Sequence, residues 1–274
     1  MFGRHMEIWQ ALVLGIVEGI TEYLPVSSTG HLLVAQRLLG IPESAAANAY
    51  AIAIQAGAIV AVIGLYWSRC MQILWGVLGR DRDGLALLGR LIVAFLPAAV
   101  LGLLFDDAIE ARLFGPWPIV IAWSVGGLLI LALPRSFMAG GAGQMTSMPW
   151  SAAAIIGVAQ CAALWPGTSR SLATILGGLV AGLSLGAAVE FSFLLGLLTL
   201  GAATSYKALD EGSAMLREFG VASLAAGFAT AWISAVLAVR WMVGWLQQRG
   251  LRLFGWWRLA AALVVAGLVL MGEL

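Results

Sequence analysis

Glu18-Gly19-Ile20-Thr21-Glu22-Tyr23-Leu24-Pro25-Val26-Ser27-Ser28-Thr29-Gly30-His31 sets two acids, a proline, three consecutive hydroxyls and a histidine inside an otherwise apolar stretch, Trp9–Leu39. A helix that crosses about 30 Å of hydrocarbon needs about 20 mostly apolar residues. Proline and glycine break such a helix, and the freed backbone is tolerated only inside protein or against a cavity. Trp9–Leu39, which also contains Arg37, is therefore expected to fold as a broken, re-entrant hairpin. A second stretch, Ile155–Leu183, is interrupted by Gln160, Pro166, Gly167 and Thr168-Ser169-Arg170-Ser171, and it reads the same way.

The rest of the chain sets these hairpins in a membrane. Six stretches have the length and apolarity of simple spans: Tyr50–Trp67, Leu87–Phe105, Trp117–Leu133, Ala187–Tyr206, Phe219–Trp241 and Trp256–Met271. Of 274 residues, 61% are hydrophobic and only 11% are charged. A soluble domain carries about a quarter charged residues, so a soluble enzyme is excluded. A net charge of +1 gives no basic face for nucleic acid. Cys70 and Cys161 have neither disulfide nor zinc-site spacing. The expected fold is all-α: a polytopic membrane protein, one integral membrane domain over residues 1–274, with about six transmembrane helices and two re-entrant hairpins.

The hairpins resemble each other. Gly15-Ile16-Val17-Glu18 precedes Gly157-Val158-Ala159-Gln160 by 142 residues. After a one-residue gap, Pro25-Val26-Ser27-Ser28-Thr29 lies over Pro166-Gly167-Thr168-Ser169-Arg170. Such symmetry between interrupted apolar segments points to an inverted repeat, with pseudo-repeats of roughly 8–134 and 150–274. Loop charges give the orientation. Arg69, Arg80, Arg82 and Arg90 follow the first clear span, and Arg240, Arg249, Arg252 and Arg258 lie between the last two. Both groups belong on the cytoplasmic side, which leaves the Asp106, Asp107, Glu110, Arg112 loop and the acidic Lys207–Glu218 loop outside. Counting back, the first hairpin enters from outside and the second from inside, as an inverted repeat requires.

Glu18 and Glu22 are four apart, so their carboxylates share a helix face. An acid in mid-membrane costs roughly 3 kcal/mol on insertion scales, which calls for a cation, a water-filled cavity or protonation. The pair reads as a divalent-metal or proton-handling site. Its bland alternative is an ion pair with Arg37 or Arg170. Ser27, Ser28, Thr29, Gly30 and His31 form a polar nest where a half-helix restarts, a natural anion site. His31 lies three residues after Ser28 and can take its proton, activating a weak nucleophile; a hydroxyl-rich cap followed by a core histidine is the alternative. Thr168, Ser169, Arg170 and Ser171 suit a phosphate, with a bidentate guanidinium among hydroxyl donors. Arg170 can equally serve as counter-ion to Glu18 or Glu22.

The Glu18–His31 segment resembles the first signature of the bacterial undecaprenyl-diphosphate phosphatases, the bacitracin-resistance membrane enzymes. Leu164-Trp165-Pro166-Gly167-Thr168-Ser169-Arg170-Ser171 is similar to their second signature, and the likeness extends through Ile54-Gln55, Phe191–Leu195 and Trp257-Arg258. Leu172 and Leu198 depart from residues usual in the family, glycine and proline, without removing a chemical group. The resemblance implies hydrolysis of undecaprenyl diphosphate to undecaprenyl phosphate and inorganic phosphate. That reaction recycles the carrier for cell-wall synthesis and confers bacitracin resistance. It also implies a divalent cation, Mg²⁺ or Ca²⁺, on Glu18 and Glu22, a nucleophile and base region at Ser28 and His31, and phosphate binding by Arg170. The site would open to the outer, periplasmic face of the bacterial plasma membrane. The expected partners are the polyprenyl diphosphate substrate and membrane lipid, and the glycine-rich faces are compatible with a homodimer. An alternative from another class is a transporter or flippase of a phosphorylated polyprenyl lipid or small anion, which needs the charges but no nucleophile.

Overall fold

Helix length separates the elements that can cross a bilayer from those that cannot. The computed structural model describes residues 6–42 and 44–274. Its helices are α1 (Ile8–Thr21), α2 (Ser28–Leu38), α3 (Ala45–Leu65), α4 (Trp67–Val77), α5 (Arg82–Leu113) and α6 (Pro116–Ala132). They continue as α7 (Arg135–Ala139), α8 (Trp150–Gln160) with a 3₁₀ turn at Cys161–Leu164, α9 (Arg170–Val180), α10 (Leu185–Arg249) and α11 (Arg252–Leu270). No strand occurs among the described residues. Five segments are long and apolar enough to span: Ala46–Leu65, Arg82–Phe105, Leu185–Leu209, Gly212–Arg249 and Arg252–Leu270. Pro116–Ala132, joined to 107–113, makes a sixth. The protein is an all-α, multi-pass membrane protein.

Two details differ from the sequence reading. The acidic segment 106–112, expected as a loop, continues the helix of α5 to Leu113. The 65 residues of α10 would reach about 98 Å at 1.5 Å per residue, far more than a bilayer. Its backbone leaves helical geometry at Gly220, with φ 75° and ψ 161°. The Thr204 hydroxyl donates to the Ile52 carbonyl at 3.4 Å, and the Tyr50 hydroxyl donates to the Ser223 carbonyl at 2.9 Å. Both ends of the 204–223 segment thus flank the same part of α3, so the chain turns back between them.

At 14 and 11 residues, α1 and α2 reach only about 21 and 16 Å, too short to span. The Gln10 amide donates to the Leu39 carbonyl at 3.0 Å, so the hairpin closes at the end where it entered. α8 and α9 have 11 residues each. Backbone bonds Gly143 N–H to Gly182 O at 3.1 Å and Ser184 N–H to Gly143 O at 2.9 Å close the second hairpin at its mouth. α3 runs between the two mouths. Near its start the Ala47 carbonyl accepts from Gln36 of α2 at 3.1 Å. Just past its end Arg69 pairs at 2.8 Å with Glu190, which follows α9. The hairpins therefore open at opposite ends of α3, and their tips meet in the interior.

α1 lies against the second half of α10 because Gly15 and Gly19 have no side chains. A Cβ at Gly15 would strike Thr230 and the Gly227 carbonyl, and one at Gly19 would strike Ser234 and the Ala231 carbonyl. Close approach through small residues is the general means of helix association in membranes. Gly19→Val is expected to lower stability by about 1–3 kcal/mol through overpacking, read as a lowered thermal unfolding midpoint in detergent. An unchanged midpoint would mean that α1 and α10 do not approach this closely.

Candidate active site

Each hairpin restarts its second helix from a serine with left-handed backbone. Ser27, ahead of α2, has φ 73°, and Ser169, ahead of α9, has φ 75°; they are the only non-glycine residues of positive φ among those described. They lie 142 residues apart, and the helices that follow them, 28–38 and 170–180, keep the same offset at both ends. The prolines alone had set Ser27 over Thr168. The backbone sets it over Ser169, so the one-residue gap is absorbed before the turn.

These turns bring Glu22, Ser28 and Arg170 together. Glu22 caps the end of α1 and is buried. Its Oε2 accepts a hydrogen bond from the Ser28 hydroxyl, and its Oε1 accepts from Arg170 Nη2 at 3.1 Å. Arg170 also donates through Nη1 to the Ser192 carbonyl at 3.0 Å and lies 5.2 Å from the centre of the Tyr23 ring. Its Nε has no protein partner. One turn back on α1, Glu18 is 0% exposed, and neither of its carboxylate oxygens has a hydrogen-bond partner. Glu22 and Arg170 are the charges that act on it. Two acids and one arginine thus share a nearly dry site, and the arginine is the counter-ion of Glu22.

The other expected residues fall into place unevenly. His31 makes no hydrogen bond to Ser28. Its Nδ1 lies 2.7 Å from the Ser27 carbonyl, which only an Nδ1–H can satisfy, and its Nε2 accepts from the Trp257 indole at 3.0 Å. Both ring nitrogens are thereby committed to holding the turn. Gly30 packs against Trp123 and Ile119, where a Cβ would collide, and Thr29 is exposed. Ser169 caps Leu172 N–H at 3.3 Å and shares a bond of 3.0 Å with Ser171. Ser171 donates to the Leu24 carbonyl at 2.9 Å, so it ties the hairpins together instead of facing a ligand. Thr168 is half-buried beside the turn.

Arg258, expected among the cytoplasmic loop charges, is instead buried inside the protein. It is 0% exposed on α11, with Nη2 donating to the carbonyls of Ala122 at 2.8 Å and Gly167 at 2.9 Å and Nη1 to that of Pro25 at 3.3 Å. One guanidinium therefore serves the broken backbone of both hairpins. Its position among apolar residues just after Trp256-Trp257 was the available signal. Thr174 and Ser192 were also missed; their hydroxyls lie 2.7 Å apart behind Arg170. Glu190, near the start of α10, is the partner of Arg69.

Residues 11–264 match the family described as Bacitracin resistance protein BacA. The chain is 44% identical to a protein of Sorangium cellulosum named undecaprenyl-diphosphatase, over 94% of this chain and 85% of that one. It is 45% identical to undecaprenyl-diphosphatase 2 of Rhodospirillum rubrum, over 93% of each. With undecaprenyl-diphosphatase 1 of Chromobacterium violaceum the identity is 40%, over 95% of this chain and 96% of that one.

Strain and bracing at the two turns can be measured separately. Ser27→Gly relieves a left-handed serine and is expected to raise the unfolding midpoint by the equivalent of about 1 kcal/mol, whereas Ser27→Ala gains nothing. Arg258→Met leaves the buried carbonyls of Pro25 and Gly167 without a partner at roughly 1–3 kcal/mol each and is expected to cost at least about 2 kcal/mol. A neutral Arg258→Met would show that water serves those carbonyls equally well.

Proposed function

The chain belongs to the BacA family of bacitracin resistance proteins, and we propose that its phosphatase chemistry is carried by Ser28, Glu22 and Arg170. It is an undecaprenyl-diphosphatase, a membrane hydrolase that releases phosphate from undecaprenyl diphosphate. The observation that carries the assignment of roles is the Ser28 hydroxyl donating to Glu22, whose other oxygen is held by Arg170. A nucleophile, its base and the group that orients the base are thus in contact.

In this reading Ser28 Oγ attacks the terminal phosphorus while Glu22 Oε2 takes the hydroxyl proton. The bond from that phosphorus to the bridging oxygen breaks, and undecaprenyl phosphate leaves. Water then attacks the phosphoserine, giving inorganic phosphate and returning the proton to Ser28. Arg170 offers its unpartnered Nε and the guanidinium charge to the phosphoryl oxygens, since phosphoryl transfer depends mainly on positioning and electrostatics. His31 takes a different role from the base expected in sequence: fixed between Ser27 and Trp257, it holds the turn that presents Ser28.

The acids also fit a hard divalent cation, Mg²⁺ or Ca²⁺. Glu18 has two buried oxygens without a protein partner beside Glu22, and such ions take oxygen ligands. No third His, Cys, Asp or Glu joins them among the described residues, so diphosphate oxygens and water would complete the shell. When bound, the ion would offset diphosphate charge.

The two hairpins, opening at opposite ends of α3 with matched 142-residue spacing, support the inverted-repeat reading, with pseudo-repeats near 8–134 and 150–274. Arg69, Arg80 and Arg82 gather at the far end of α3 from the mouth of the first hairpin. This supports a site that faces the outer side of the bacterial plasma membrane. Gly244 and Gly267 have nothing within 4 Å, which leaves room for a second copy in a homodimer. The transport alternative uses the same charges but leaves the bond between Ser28 and Glu22 without a purpose.

The test is phosphate release from undecaprenyl diphosphate by detergent-solubilised protein, with Mg²⁺ or EDTA, beside a folded Ser28→Ala. Metal-dependent release falling at least a thousandfold in the variant is expected. Release that survives in Ser28→Ala would move the attack to water. No release from folded wild-type protein would favour transport.

A further inference from the structure

A cavity of 880 Å³ lies at the opposite end of α3 from the mouth of the first hairpin, outside the acidic site. It is bounded by Tyr66 after α3, by α7, and by both ends of α10 with the start of α11. Its volume falls in the range of true ligand sites, well beyond a packing defect. Leu133, Leu185, Val189 and Leu246 make its lining apolar, and Arg135, Arg249 and Arg252 set three guanidinium groups around it. The one acid in the lining, Glu190, is already neutralised by Arg69 at 2.8 Å. No acidic side chain pairs with Arg135, Arg249 or Arg252 among the described residues. The cavity thus carries uncompensated positive charge over an apolar floor.

A wall of rings separates it from the acidic site. Tyr66, in the cavity lining, meets Phe193 edge-on at 5.8 Å; Phe193 meets Tyr23 at 5.2 Å; and the Arg170 guanidinium lies 5.2 Å from the centre of the Tyr23 ring. An anion in the cavity therefore cannot be held by Arg170 without movement of these rings.

We infer that this cavity is a second anion site that takes a phosphate-bearing group through Arg135, Arg249 and Arg252. Guanidinium groups bind phosphate by paired, charge-assisted bonds, and juxtamembrane arginines attract anionic lipid. The shared chemistry is an anionic phosphate group. Its source is either a lipid headgroup, whose chain would follow the apolar floor, or free phosphate.

Native mass spectrometry of the full-length protein, titrated with phosphatidylglycerol or with diacylglycerol, tests the site. Wild type is expected to retain phosphatidylglycerol in preference to diacylglycerol. Arg135→Gln/Arg249→Gln/Arg252→Gln should weaken that retention at least tenfold, and the matching triple lysine variant should recover part of it. Displacement of the lipid by millimolar inorganic phosphate would identify free phosphate as a ligand; resistance to it would identify the headgroup. A second measurement needs no variant: phosphatidylglycerol or phosphate should protect Arg135, Arg249 and Arg252 of wild type from phenylglyoxal, mapped by peptide mass. Equal lipid retention by wild type and the triple glutamine variant, or labelling unaffected by either anion, would overturn the proposal and leave the arginines a role in membrane orientation alone.

Discussion

Broken helices leave backbone carbonyls that hydrocarbon cannot hydrate, and most of the interior follows from how those carbonyls are served. Arg258 answers for two of them, Pro25 and Gly167, from a single buried guanidinium that also bonds the Ala122 carbonyl of α6. Arginine suits the task because its donors spread in a plane and its charge does not leave as a proton. A lysine's three donors radiate from one nitrogen, whereas these carbonyls are met from two separate ones. The hairpin tips are thus tied to α6 and α11 from outside, and to each other by Ser171 donating to Leu24. With the tips fixed, the two left-handed serines are held in a geometry that an isolated chain would leave.

Strain at those serines serves the site. Ser27 and Ser169 stand where each second helix restarts, so the first residues of α2 and α9 point into the space between hairpins. Those residues are Ser28 and Arg170, one from each half, and Glu22 bonds to both. The carboxylate is therefore a joint as well as a chemical group. Charge does not balance with Arg170 alone: Glu18 and Glu22 bring two acids, and Arg258 is occupied with carbonyls. Glu18, buried and unpartnered, is where a ligand carrying positive charge would lower the free energy most.

Much of this was legible in the sequence. The breaks at Pro25 and Pro166 and the membrane-crossing helices followed from apolar length and its interruption, and the same breaks point to Glu22, Ser28 and Arg170, which the fold brings into contact. What failed has physical reasons. Spacing put Ser28 and His31 on one helical turn, but the first residue of a helix can face back toward the preceding segment, where Glu22 waits, while an imidazole four residues past Ser27 finds that residue's carbonyl. Sequence spacing fixes which residues share a face, not which partner is nearer. Arg258 was taken for a loop charge because positive-inside counting treats every arginine near a span end alike. Its place among apolar residues after Trp256-Trp257 hints at burial, but its acceptors lie in three distant segments, which no local pattern names. The turn at Gly220 and the helical continuation of α5 depend likewise on packing at the ends of spans.

An acidic site buried in a membrane protein has to admit a doubly charged headgroup while its tail remains in lipid. A pore would admit water along with it and weaken the electrostatics on which phosphoryl transfer relies. Two re-entrant hairpins meet that demand differently: each puts a helix start in the membrane interior without carrying backbone through to the other side. The contacting rings of Tyr23, Phe193 and Tyr66 then stand as a wall between the acidic site and the arginine-lined cavity. Hydrolysis asks only for entry and exit on one side, and a closed wall is consistent with that. Transport asks for the wall to open. Because Arg170 rests on Tyr23 while holding Glu22, opening that wall would disturb the same guanidinium that holds this carboxylate. The resting arrangement is therefore better suited to chemistry on one side than to passage between two.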